Sequence, residues 1–281
     1  MLYSNPDHEV RGKACISGIQ RWGVIVLALF LVIPSVEALA DDPQPLPAFQ
    51  TGTPATYTSL KRFPQNLGGN FLALFSKKNI LPLLIGGTAS GIVAPFDDDI
   101  KDRLGVRGES HAIGEVGNVM GGAALVIPTV TALLIGGHYS KNDRFHSFTY
   151  SLAQGTVINL GLVQGLKVAV GRPRPDGSDK RSFPSGHAAD SFMIASILQR
   201  YYGRTAGIIG YSAATFISLS RSMDNKHWAS DLTASAALGY IVGSSVCRRT
   251  GISMRVGKIT LMPALDLQHR RIGIIFGTDS E

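Results

Sequence analysis

PSGHAADSFMIASILQRYY (184–202) decides how this chain folds. Its apolar run is longer than a typical strand and lacks strict alternation, so helix is the better reading. Pro184 ends the loop before it, and Ser185 is placed to cap the first turn. His187 then falls on that first turn, where packing rarely asks for a histidine. The same texture recurs at about 71–95, 113–139, 145–171, 204–220 and 227–247. The expected fold is therefore all-α, a bundle of about six core helices within a domain at 71–250. Charge collects in the connectors, DDDIKDRLGVRGES (97–110), HYSKNDRF (138–145), GRPRPDGSDKRSF (171–183) and RYYGRT (200–205). Residues 41–70, rich in Pro, Thr, Gly and Gln, read as an extended lead-in. Beyond Gly251, KITLMPALDL and RIGIIFG are short β-prone runs, which predicts a short C-terminal β-hairpin in a tail at 251–281.

The chain has 281 residues and a formal charge of +7. A basic balance points to nucleic acid, an anionic membrane surface or anionic small substrates. The basic residues are spread out and no aromatic-basic motif appears, so nucleic acid is not the expected partner. Arg11, Lys13 and Arg21 precede GVIVLALFLVIPSV (23–36), and Ala38 and Ala40 stand in A-x-A spacing. Residues 1–40 therefore read as a secretory signal peptide, with an uncleaved anchor as the alternative, and the protein is expected outside the cytoplasm. If Cys15 leaves with that segment, Cys247 has no intrachain partner, and a small apolar filler is its expected role.

Several helical segments are apolar enough to span a bilayer, yet Gln154, Asn159 and Gln164 interrupt one of them. Export followed by three spans would return the end of the third to the cytoplasm, where an exported site has little use. A soluble or surface-bound bundle is preferred over a polytopic one on that ground.

Three clusters carry chemistry. In KVAVGRPRP, six residues separate Lys167 from Arg174-Pro175; PSGH occupies 184–187; in SRSMDNKHWASD, Arg221 is followed by His227 and Asp231. Lys167, Arg174 and Arg221 sit at element ends, and such cations match oxyanions as forks or point charges. Ser185 and Gly186 open a helix whose first amides have no internal partner, which suits an anion. His227 and Asp231 at i, i+4 can share a helix face. A carboxylate there would hold one ring nitrogen and leave the other as a nucleophile or base. His187 adds a second imidazole. Each cluster alone has a bland reading, as a solvated helix end, a surface pair or an N-cap. Eleven specified residues in order at helix junctions do not.

K-x6-RP, PSGH and SR-x5-H-x3-D resemble the three-part signature of the type 2 phosphatidic acid phosphatase superfamily. That superfamily also includes bacterial class A acid phosphatases and vanadium haloperoxidases. The resemblance covers about residues 75–247, and every motif position is matched. It implies a metal-independent phosphatase acting on phosphate monoesters or lipid (di)phosphates. His227 would be the nucleophile that forms a phosphohistidine, and Asp231 would fix its tautomer. His187 would protonate the leaving alcohol, while Lys167, Arg174, Arg221, Ser185 and Gly186 would hold the phosphoryl oxygens. No cofactor is implied. Vanadate enters as an inhibitor or, in the haloperoxidase alternative, as the cofactor in the same cradle. The short spacing between Pro175 and Pro184 implies a small lid and argues against the larger acid phosphatase and haloperoxidase forms. Expected partners are a phosphorylated small molecule or lipid and a membrane, which the protein touches or enters.

Other polar residues rank lower. Asp97-Asp98-Asp99 reads as a solvated loop and helix cap rather than a cation site. His111, His138 and His146 read as surface histidines. Asp190 could orient His187, with a helix-turn role as the alternative. Lys180 and Arg181 flank the site, and Trp228 reads as packing behind His227.

Overall fold

A computed structural model describes residues 59–104 and 111–249 and, as backbone alone, strands within 254–278. The predicted signal segment, most of the lead-in and loop 105–110 lie outside the described residues.

Eight helices are present among them: α1 (Phe63–Ala73), α2 (Ile80–Val93), α3 (Asp97–Leu104), α4 (His111–Gly121), α5 (Ala123–His138), α6 (Asp143–Val170), α7 (Gly186–Met223) and α8 (Ala229–Arg249). The all-α bundle agrees with the sequence pattern, but several boundaries differ. α1 occupies the end of the segment expected to be extended. The apolar run 71–95 divides because Asn79 takes the end of α1 in hand, donating to the Ala73 and Leu74 carbonyls and to Ser245 Oγ. The run 113–139 divides at Gly122, which is extended (φ −75°, ψ 143°). The start of the connector 97–110 is helical rather than loop.

Gly203 (φ 85°, ψ −170°) breaks α7 into two arms. A Cβ placed on Gly207 would meet Gln199, one on Gly210 would meet Ala195, and the Phe192 and Tyr211 rings lie 6.0 Å apart. Residues that far apart in one straight helix could not touch, so the second arm folds back along the first. This φ and ψ belong to a region that essentially only glycine occupies. Nothing lies within 4 Å of a Cβ added at Gly203, so the cost of a side chain there is backbone strain alone. Gly203→Ala is expected to cost about 1–3 kcal/mol. It should read out as a lower thermal midpoint in detergent, and an unchanged midpoint would contradict the reversal.

α8 is the central helix, packed on α7, α2, α6 and α1. Its Gly239 and Gly243 let the backbones touch: added Cβ atoms would strike the Ala189 and Met193 carbonyls. Two apolar cores result. One joins Val93, Ile100, Phe192, Tyr211 and Ala236; the other joins Val130, Leu152, Met193, Ile197, Val242 and Cys247. Cys247 is fully buried in the second, as an apolar filler should be.

The outer surface runs against a wholly soluble bundle. The stretches Lys77–Leu104 and Gly114–His138 are long and apolar enough to cross a membrane, and only 22% and 17% of their most apolar windows are buried. Leu81, Leu83, Leu84 and Ile92 on α2, Val119 on α4 and Ile135 on α5 are exposed. Soluble monomers rarely expose contiguous apolar patches larger than a few hundred Å². This exposed apolar surface fits a bundle associated with a membrane.

The tail corrects the predicted hairpin. Its backbone pairs three strands, β1 (Met254–Val256), β2 (Ile259–Asp266) and β3 (Arg271–Thr278), antiparallel in that order.

Candidate active site

The reversal at Gly203 returns the end of α7 to the level of its start. Gly171, left-handed at φ 59°, closes α6 and turns the chain there as well. One end of the bundle thus collects Lys167 from α6, Gly186 and His187 from the first turn of α7, Arg221 from its last, and His227 from the connector to α8. With Arg174, these residues line one cavity of about 770 Å³. α4 closes one side with Glu115 and Asn118, and Ala123, Leu160 and Val163 form an apolar stretch of wall. α4 comes this close through glycines: added Cβ atoms on Gly114, Gly117 and Gly121 would strike Asp224, Ser220 and Ile217.

Two of the predicted site residues stand behind the wall instead. Ser185 is buried, its N–H donating to Ser235 Oγ at 2.8 Å, and its own Oγ caps α7 through the Ala188 N–H at 3.4 Å. Asp231 is also fully buried.

Each cation has a fixed partner. Lys167 Nζ donates to the Arg181 carbonyl at 2.5 Å, Arg174 Nε to Asp179 at 2.7 Å, and Arg221 pairs with Asp224 at 2.9 Å. The loop expected as a lid is a compact turn. The Arg174 N–H donates to the Asp179 carbonyl, the Asp176 N–H to the Asn225 carbonyl, and Lys226 pairs with Asp176 at 2.7 Å.

Burial, reinforced by Arg174 and Arg181, brings the Lys167 ammonium down to about 8. Burial, with Arg221 beside it, brings His187 down to about 4. Burial first and Lys167 second push His227 well below the ordinary histidine range. Both imidazoles are thus neutral near pH 7 while the cations face them.

His227 Nδ1 lies 2.6 Å from the Ser182 carbonyl oxygen. A carbonyl can only accept, so Nδ1 carries the proton and Nε2 keeps its lone pair. The predicted direct contact with Asp231 is absent. α8 begins at Ala229, so His227 precedes the helix and shares no face with Asp231. Asp231 accepts instead from Arg172 Nη1 at 2.5 Å, from Ser182 Oγ at 2.5 Å and from the Trp228 N–H at 3.1 Å. The last bond is the reach-back of an N-terminal helix cap. His187 Nε2 lies 3.2 Å from both the main-chain and side-chain oxygens of Asn118, which sets its ring orientation.

Three residues around the site were not singled out in the sequence. Asn118 belongs to no cluster. Arg172 stands in the same GRPRP as Arg174, and Ser182 precedes PSGH by two positions. Asp97 is a cap, as expected, accepting the Ser230 N–H at 2.9 Å, but it is buried and paired with Arg172 rather than solvated. Asp190 faces the cavity and accepts from Asn159 at 2.7 Å, not from His187. Trp228 is half-buried: its Nε1 donates to the Pro173 carbonyl, and its ring lies under Arg172 and Lys101. His138 and His146 lie apart from the cavity, around Tyr150.

Comparison with known proteins places this arrangement. The PAP2 superfamily model matches residues 148–251, the segment that holds all three clusters. A lipid A 1-phosphatase of Porphyromonas gingivalis is 31% identical over 193 residues, covering 66% of this chain and 41% of that protein. A probable diacylglycerol pyrophosphate phosphatase of Schizosaccharomyces pombe is 30% identical over 129 residues, covering 30% of this chain and 46% of that protein. The chain thus spans about half the length, or less, of these curated relatives. The crystal structure of a transmembrane PAP2-type phosphatidylglycerolphosphate phosphatase from Bacillus subtilis superposes with a TM-score of 0.50 at 19% identity, covering 60% of this chain and 92% of that one. That likeness concerns the helical bundle and lends no support to the expected C-terminal hairpin. Signature, helical fold and family match coincide on the same helices, and the segment 148–251 belongs to the PAP2 superfamily.

Proposed function

We propose that the protein is a metal-independent phosphatase that hydrolyses lipid phosphate esters through a phosphohistidine. One observation carries the reading: a single cavity holds three cations, a neutral His187 and a His227 whose free nitrogen is Nε2. Phosphoryl transfer asks chiefly for positioning and for compensation of charge on the equatorial oxygens, which Lys167, Arg174, Arg221 and the first amides of α7 supply. His227 Nε2 forms the bond to phosphorus as the bond to the ester oxygen breaks. The departing oxygen takes its proton from His187, which the bound phosphoryl group has first brought to its protonated form. Water then attacks the phosphohistidine, gives its proton to neutral His187, and releases orthophosphate.

The bound phosphoryl group matters for His187. Its negative charge offsets the cations that hold the ring neutral and raises its proton affinity when a donor is required. The apolar wall of Ala123, Leu160 and Val163 favours a lipid over a small soluble ester. So do the relatives, which are named for lipid A and diacylglycerol pyrophosphate. The exposed apolar faces of α2, α4 and α5 favour insertion in a membrane, with the site facing outside the cytoplasm. The haloperoxidase alternative has no observation of its own in its favour.

The test is phosphate release by detergent-purified protein from phosphatidate, undecaprenyl diphosphate and a small chromogenic ester, with chelator present. Release from a lipid phosphate at least ~10-fold more efficient than from the small ester is expected. No release from any of them, or halide oxidation by peroxide with vanadate in its place, would contradict the proposal.

A further inference from the structure

His227 is held by Ser182, and Ser182 is held by Arg172. The Ser182 N–H donates to the Arg172 carbonyl at 2.9 Å, its hydroxyl donates to Asp231 at 2.5 Å, and its carbonyl receives the His227 Nδ1 proton at 2.6 Å. All of its polar atoms are committed, and the residue is fully buried. Asp231 is committed too. Arg172 Nη1 binds it at 2.5 Å and Ser230 Oγ at 2.8 Å, while Arg172 Nη2 binds Asp97 at 2.8 Å. Asp97 completes the ring by accepting the Ser230 N–H and hydroxyl at the start of α8. One guanidinium thus ties the start of α3, the end of α6 and the start of α8 around a single serine.

A carboxylate directly on Nδ1 would stabilise an imidazolium. Here it is neutralised by Arg172 and lies one residue away from the ring. The acceptor on the ring is a neutral carbonyl, which selects the tautomer without making the ring much more basic.

Resting on the phosphohistidine reading above, we infer that Ser182 and Arg172 are positioning residues for the nucleophile: Asp231 acts on His227 through the Ser182 hydroxyl, with Arg172 and Asp97 fixing Asp231. None of Ser182, Arg172 and Asp231 lines the cavity, and the phosphate-holding cations bond to other residues, Arg181, Asp179 and Asp224.

The experiment compares Ser182→Ala, Arg172→Gln and Asp231→Asn, singly and as the Ser182→Ala/Asp231→Asn pair. Arg172→Lys serves if the glutamine variant fails to fold. The readouts are kcat with a lipid phosphate and the inhibition constant of inorganic phosphate. Loss of about 10–100-fold in kcat is expected for Ser182→Ala and for the Arg172 variant, with phosphate inhibition unchanged within about 2-fold. The paired variant should be no slower than Asp231→Asn alone, because the two residues act as one unit. Full kcat in Ser182→Ala, or multiplicative losses in the pair, would overturn the relay. Phosphate inhibition weakened in parallel with kcat would also overturn it, since that marks general disruption of the site. A wild-type protein that releases no phosphate, by contrast, would sink the phosphatase reading itself. Turnover that survives His227→Ala would sink the phosphohistidine reading on which the relay rests.

Discussion

His227→Ala is expected to lower kcat at least ~10⁴-fold while leaving binding of inorganic phosphate within a few-fold of the parent protein. Nε2 is the only ring atom of His227 left with a lone pair, because the Ser182 carbonyl holds the proton on Nδ1. Removing the ring removes the atom that bonds to phosphorus, and no neighbouring group replaces it. Lys167 and the arginines have no lone pair at working pH to offer in its place, or nearly none for Lys167. Phosphate binding persists because Lys167, Arg174 and Arg221 keep their own partners, Arg181, Asp179 and Asp224, none of which involves His227. The fold should tolerate the change. One hydrogen bond is lost, at about 1 kcal/mol, leaving the Ser182 carbonyl the one acceptor to be satisfied by water. Turnover in the variant within ~10-fold of the parent would contradict the assignment of the nucleophile.

His187→Ala is expected to slow cleavage of alkyl phosphates by about 10²–10⁴-fold and of an activated chromogenic ester by less than ~10-fold, because only a poor leaving group needs a proton. The pH dependence carries the same signature. Burial and Arg221 bring His187 to about 4 in the free protein, so its protonated fraction falls as pH rises through that value. His227 is also pushed well below its ordinary range, by burial first and Lys167 second. The rate kcat/KM for a poor leaving group should therefore have an acidic optimum and an alkaline limb. The alkaline limb of kcat should lie at higher pH, since bound phosphate raises the proton affinity of His187. His187→Ala should flatten that limb. Equal slowing across leaving groups of very different basicity, or an alkaline limb that survives the substitution, would contradict the acid role.

The helical character of the bundle was legible because long apolar runs without alternation leave little choice. The grouping of the cations was legible as well. Lys167, Arg174, Gly186, His187, Arg221 and His227 were found from motif spacing, and all line one cavity. What spacing could not give is which partner wins a hydrogen bond. The i, i+4 interval between His227 and Asp231 presumed that both lie on a helix, yet α8 starts between them, at Ala229. Asp231 then serves the helix end and Arg172, and the backbone of Ser182 takes the ring. Ser185 reads equally well as a cap or an anion donor. Its N–H goes to Ser235, a residue 50 positions away that no local pattern links to it. The exposed apolar surface was not legible for a different reason. Composition marks α2 and α5 as apolar, but only packing tells whether those residues turn inward, and most turn outward.

The most direct test of the central claim is a rapid-quench reaction with a lipid substrate labelled in the scissile phosphate, followed by mapping of the protein-bound label. An acid-labile, base-stable label on His227, formed at a rate no slower than turnover and absent from His227→Ala, is the predicted result. A protein that turns over substrate yet carries no label at any quench time, or carries it on another residue, would contradict the account.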